Sequence, residues 1–204
     1  QWLNLNSFYT LVNGIYKLGY NPEDIKYIIH THWHGDHTEG TKPLLSIAKN
    51  AKTIIGVRDD KFVKEMGYFE PDMVVKDGDT ITLGDITFKF LETPGHTVGT
   101  ISIIFDIKDK DKIYHVGMFG GAGANSLVPE WATYYQRCRE DYKKSIDKLR
   151  KEKVDLFLGN HVWNNDTENK YYKMLSNPNE NPFIDDKEFY RFLDFCKERV
   201  DSLQ

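Results

Sequence analysis

A chain of 204 residues, 40% hydrophobic and 28% charged, is long enough to bury one real core and has the composition of an ordinary globular domain. Its net charge of −4 argues against nucleic acid as the main partner, because a phosphate-binding surface needs a basic excess. No apolar run approaches the length of a bilayer-spanning helix, so no membrane partner is expected either.

Leu5, Phe8, Val12, Ile15 and Leu18 recur at helical spacing and predict an amphipathic helix over residues 5–19 that stops at Gly19. Asn21-Pro-Glu-Asp leads into Lys26-Tyr-Ile-Ile-His30, which reads as a buried strand. Residues 38–50 are expected as a helix, with Gly40 and Pro43 confined to its first turns. Residues 53–57 form a short strand, and residues 74–91 alternate around Gly78 and Gly84 as paired strands joined by tight turns. A loop over 93–99 then separates two strands, the second at 100–106. A charged turn at 108–112 leads to a strand at 113–117, and residues 120–125 make a glycine-rich loop. A long helix is expected over about 131–151, then a buried strand at 154–158 with His161 just past its end. The chain closes with a helix from about residue 185, whose Phe189, Phe192, Leu193 and Cys196 form one apolar face. The elements alternate without a uniform βαβ rhythm, which predicts two mixed sheets with helices outside.

Cys138 and Cys196 fall on separate predicted helices, with no CxxC spacing and no neighbouring histidine, and read as two unpaired, partly buried thiols. Gln1 is not a natural start residue and no signal peptide is visible, so a leader or N-terminal segment is expected to have preceded it. Compartment stays open.

The most informative stretch is His32-Trp33-His34-Gly35-Asp36-His37, with four potential metal ligands in six residues, following an apolar run. Zinc takes imidazole nitrogen and carboxylate oxygen, and Gly35 is expected to fold the backbone so that side chains on both sides of it point inward. A solvated turn would favour Asn, Ser and Gly over Trp and repeated His. A two-metal site needs about six ligands, and His96 and His161 are placed to complete one. His96 is held by Pro94 and Gly95 in a loop, and His161 follows Leu158-Gly159-Asn160 at a strand end. His30 lies inside its strand and reads as a residue beneath the site or in the core. His115, mid-strand, reads as packed or surface-exposed.

The histidine cluster, Thr93-Pro-Gly-His96-Thr-Val-Gly99 and His161 after a hydrophobic strand together resemble the metallo-β-lactamase superfamily, in motifs whose order spans most of the chain. The resemblance implies an α/β fold, a four-layer αββα sandwich with metals in the cleft at one edge of the sheets. It implies two zinc ions per chain, the first held by His32, His34 and His96 and the second by Asp36, His37 and His161, with a small-molecule substrate. Many hydrolases of the superfamily place a bridging Asp after the strand equivalent to 113–117, and subclass 1 β-lactamases a Cys. This chain reads Val116-Gly117-Met118-Phe119-Gly120-Gly121 there, and a thioether is too weak a ligand for zinc to substitute. Six ligands without a seventh is the arrangement of the class B, subclass 3 enzymes. Tyr135, Tyr142-Lys-Lys-Ser145 and Val154-Asp-Leu-Phe-Leu158 also look like that subclass.

Two further departures stand out. The last histidine is usually followed by Pro, whereas Val162-Trp163 stands here. The strands that normally precede the first helix are absent, which implies that residues 1–204 are one metallo-β-lactamase-like domain truncated at its N-terminus. The implied activity is hydrolysis of the β-lactam amide by a zinc-bound hydroxide, with Asp36 the catalytic residue that orients it. Such an enzyme would be secreted or periplasmic; otherwise a cytoplasmic protein is expected. The alternatives are a hydrolase of the same fold acting on a thioester, lactone or phosphodiester, and a non-catalytic metal-binding relative. A di-iron flavoprotein of the superfamily would carry Glu where His34 stands.

Overall fold

A computed structural model describes residues 2–124, 127–128 and 138–203, which divide into two compact units, Gln1–Val75 and Lys76–Gln204. The first unit opens with helix α1 (Trp2–Lys17), which ends just before Gly19 as expected. Val12 is buried, but Leu18 is 75% exposed: it follows the last helical turn and leaves the apolar face. Strands β1 (Tyr27–Ile29), β2 (Lys52–Gly56) and β3 (Met73–Val75) form a sheet in the order β1-β2-β3, parallel throughout. This sheet is therefore not mixed as the sequence predicted. Parallel neighbours need crossovers, and short helices supply them: α2 (Gly35–Thr38) and α3 (Thr41–Ile47) between the first pair, and α4 (Asp60–Glu65) between the second. The single helix expected over 38–50 is two. Its first turn begins inside the histidine cluster, where Thr38 Oγ1 donates to the carbonyls of Trp33 (3.2 Å) and His34 (2.9 Å). Gly40, a poor helix former, interrupts it.

The second unit holds β4 (Thr80–Leu83), β5 (Ile86–Glu92), β6 (Ile101–Asp109), β7 (Lys112–Met118) and β8 (Leu156–Phe157) in sequential order. The first four are antiparallel and β8 runs parallel to β7. The stretch predicted as paired strands joined by tight turns over 74–91 is split. Residues 73–75 join the first sheet, and only the Gly84-Asp85 turn closes a hairpin, pairing Leu83 with Ile86. Gly78 donates to Phe90 O (2.8 Å) and so leads into β4 rather than joining two paired strands.

Helices α5 (Cys138–Leu149), α6 (Thr167–Ser176) and α7 (Glu188–Asp201) complete the unit. The expected start of α5 at 131, Tyr135 and Asn125 lie outside the described residues. Phe189, Leu193, Cys196 and Val200 are buried along one stripe of α7, with Phe192 partly buried, and pack with Tyr142, Ile146 and Leu149 of α5 in one core cluster. Among the described residues no helix is long and apolar enough to cross a membrane.

Cys138 and Cys196 are not joined in a disulfide, and both are more fully buried than expected. Burial raises both thiols, Cys196 to about 11, so each stays protonated at neutral pH. A disulfide-exchange reagent at pH 8 should therefore react with both only after unfolding. Reaction of either thiol in the folded protein at the rate seen in denaturant would contradict this burial.

Candidate metal centre

Strand β1 delivers its backbone straight into the histidine cluster. His30 N–H still bonds Ile54 O (2.9 Å), so the ladder continues one residue past Ile29. Both ring nitrogens of His30 are engaged, Nδ1 with Ile54 O (3.1 Å) and Nε2 with Thr41 Oγ1 (2.7 Å), and the ring stacks on Phe69 at 4.3 Å. Burial holds its pKa down at about 4. It is a neutral strut beneath the cluster, one of the two roles expected for it.

Beyond it the chain gathers its candidate ligands. The His32 ring lies 4.8 Å from that of His34 and 4.2 Å from that of His37, centroid to centroid. One ligating atom of His32 and one of His34 lie within 4.8 Å of each other, and Asp36 Oδ2 stands 3.3 Å from His37 Nε2. Burial lowers the pKa of His34, against the opposing pull of Asp36, and a neutral imidazole is the form that binds metal. Gly35 opens α2, and a Cβ built there would lie 2.7 Å from Glu39 Oε1 and 3.0 Å from Tyr68 Oη, the far ends of two side chains.

Two supports for this loop escaped the sequence reading. Asp59 is fully buried and its Oδ2 accepts the Trp33 N–H (3.2 Å). The Trp33 indole stacks on Phe62 of α4 at 5.3 Å and packs with Ile55, Val63 and Phe69. The only local signal was Asp59-Asp60 shortly after a buried strand, a pattern that α4 explains.

In the second unit the loop 93–100 is closed by its own polar groups. Thr93 N–H bonds Thr100 O (2.9 Å), Gly95 N–H bonds Thr97 O (3.0 Å), and the hydroxyls of Thr97 and Thr100 meet at 2.7 Å. Ser145 Oγ on α5 donates to Pro94 O (2.8 Å). Gly95 has φ +135°, and a Cβ there would stand 2.5–2.7 Å from the backbone and Cβ of Tyr142. That fit sets the position of His96. Its Nδ1 lies 2.7 Å from Gly123 O, a carbonyl that can only accept, so Nδ1 carries the proton and Nε2 the lone pair that a metal requires.

His161 stands past β8 as expected. Its N–H bonds Asn164 Oδ1 (3.1 Å), and its ring lies flat on Trp163 with centroids 4.3 Å apart and planes 13° apart. Asn160 Nδ2 donates to Gly120 O (2.7 Å), so the His96 and His161 loops both bond to the segment 120–123. Tyr142 Oη adds a bond to Ala122 O (2.7 Å) in the same segment. His115 is half-exposed and pairs with Asp106 (2.7 Å) on the neighbouring strand. Met118 ends β7 opposite Ile103 and is half-buried. The donors in hand are imidazole nitrogens and one carboxylate, with no thiolate among them, a set that fits zinc.

The sequence matches the family model of the metallo-β-lactamase superfamily over residues 2–161. The chain belongs to the metallo-β-lactamase superfamily. Its sheets and helices match that superfamily's fold across most of its length, in accord with the sequence motifs. BJP-1, a subclass B3 metallo-β-lactamase of Bradyrhizobium japonicum, is similar with a TM-score of 0.85 and 29% identity over 96% of this chain and 78% of that one. Native FEZ-1 metallo-β-lactamase from Legionella gormanii gives 0.82 and 29% over 94% and 78%. A hydroxyacylglutathione hydrolase of Francisella tularensis subsp. novicida is 36% identical over 110 residues, 52% of this chain and 40% of the hydrolase. The match thus spans less than half of that protein's own length.

Proposed function

We propose that the protein is a zinc-dependent hydrolase that opens the amide bond of β-lactams. In this reading His32, His34 and His96 hold one zinc ion, and Asp36, His37 and His161 hold a second. The observation that carries it is the end of β7, where Met118 faces Ile103 across the sheet and the segment 116–121 offers neither Asp nor Cys. That leaves the six-ligand arrangement and no bridging carboxylate. The likeness to subclass B3 structures over nearly the whole chain supports the same reading.

Zinc, when bound, supplies Lewis acidity and brings the pKa of a water towards neutrality. The chain's own residues do the rest. Neutral His34, and His96 with its proton fixed on Nδ1 by Gly123 O, present nitrogen lone pairs without first losing a proton. His30 and Asp59 hold the loop that carries His32 to His37. Asp36 accepts a hydrogen bond from the attacking water at a carboxylate oxygen. It takes that water's proton as the oxygen adds to the carbonyl carbon, and delivers it to the amide nitrogen when the C–N bond breaks.

A second reading, hydrolysis of a thioester, is favoured by the relative named hydroxyacylglutathione hydrolase. Zinc-replete protein assayed with a chromogenic cephalosporin and with S-lactoylglutathione, each with and without chelator, separates the two. Chelator-sensitive turnover of the β-lactam alone is expected. Turnover of the thioester alone would replace the first reading with the second.

Elemental analysis of zinc-replete protein should give two zinc ions per chain, falling to one in His161→Ala, where only Asp36 and His37 would remain at the second site. Met118→Ala should leave the count at two. Loss of an ion in that variant would mean that the end of β7 holds metal after all.

A further inference from the structure

The loop from Gly159 to Thr167 is fixed at several points. Besides the Asn160 bond to Gly120 O, Asn165 Nδ2 donates to Phe157 O (2.9 Å) and Thr167 N–H to Val162 O (3.0 Å). A loop held this firmly nevertheless turns two large apolar side chains outward, Val162 at 61% exposure and Trp163 at 72%. Single exposed apolar residues need no explanation, but this pair is adjacent to a candidate ligand, and the indole is oriented. Its ring lies parallel on the His161 imidazole, which covers one face and leaves the other towards solvent. Trp offers a large, flat contact with little side-chain entropy to lose, which suits it to recognition.

We propose that Trp163 is a specificity-determining residue whose outer face stacks on a planar aromatic group of the substrate, next to the bond that is cleaved. The inference rests on the reading of His161 as a zinc ligand of a hydrolase. One aromatic stack is worth about two- to ten-fold in affinity. The protein should therefore prefer a substrate with an aryl side chain over its compact counterpart by about that factor, through KM rather than kcat.

The test compares benzylpenicillin with 6-aminopenicillanic acid on zinc-loaded wild type, Trp163→Ala and Trp163→Phe, reading the ratio of the two kcat/KM values. The ratio should fall by about two- to ten-fold in the alanine variant and return in the phenylalanine one. An unchanged ratio, or a fall carried by kcat alone, would overturn the proposal. The same ratio is read at equilibrium by calorimetric titration with the two hydrolysed products, which does not depend on turnover. If neither β-lactam is hydrolysed, the β-lactamase reading fails. The stacking proposal then stands or falls on whether the aryl product binds more tightly than its compact counterpart, and whether that preference disappears in Trp163→Ala.

Discussion

Asp36→Asn should lower kcat/KM by about 10²–10⁴-fold, the range that a positioned proton-transfer group contributes. Asp36 sits in the first turn of α2, its Oδ2 beside His37 Nε2, with a largely exposed carboxylate. An amide of the same shape can still orient a water but cannot take its proton, and it is a weaker donor to zinc. The zinc content of the assayed sample separates these two losses. Full occupancy with the activity gone assigns the effect to proton transfer, and loss of one ion assigns it to ligation. Activity within about three-fold of wild type would remove Asp36 from the mechanism altogether.

Gly95→Ala should destabilise the protein by about 2–6 kcal/mol, combining the strain of a left-handed backbone with overpacking of a filled site. At φ +135° an alanine is strained whatever space surrounds it, and here its Cβ would meet backbone atoms of α5 that cannot turn away as a flexible side chain could. Against a typical total of roughly 5–15 kcal/mol, the loss is large enough to read directly from a denaturant midpoint. Gly14→Ala is the useful contrast. It lies inside α1 with nothing within 4 Å of the added carbon, and should gain about 0.5–1 kcal/mol. A Gly95 variant as stable as wild type would show that the His96 loop is not held by its fit against α5.

The parts of the molecule written in short-range chemistry were legible in the sequence. The ligand cluster is six consecutive residues, the α7 stripe repeats every three to four, and β6 and β7 are separated by a charged turn. The features that depend on distant partners were not legible. Residues 73–91 alternate in one continuous pattern, yet Val75 is claimed by Gly56 of one sheet and Ile86 by Leu83 of the other, a choice that no local periodicity encodes. Helices α4 and α6 each bury a single residue, Val63 and Lys170, and so lack an apolar stripe to detect. Turn α2 is too short to be stable on propensity and exists because Thr38 closes it. Asp59 supports the cluster from 26 positions away, where sequence spacing carries no information about contact.

The segment from Gly120 to Gly123 has a further consequence. Its carbonyls at 120 and 123 hold the loops of His161 and His96, and the carbonyl between them is tied to Tyr142 in the core. The two candidate ligands of this unit, His96 and His161, are thus mortgaged to one stretch of four residues. A change that shifts that stretch moves both together, so under the proposed zinc ligation their affinities for metal would be coupled rather than separately adjustable. Divergence toward a new substrate would then be channelled away from the proposed ligands and into side chains outside the clamp, such as the exposed Val162 and Trp163.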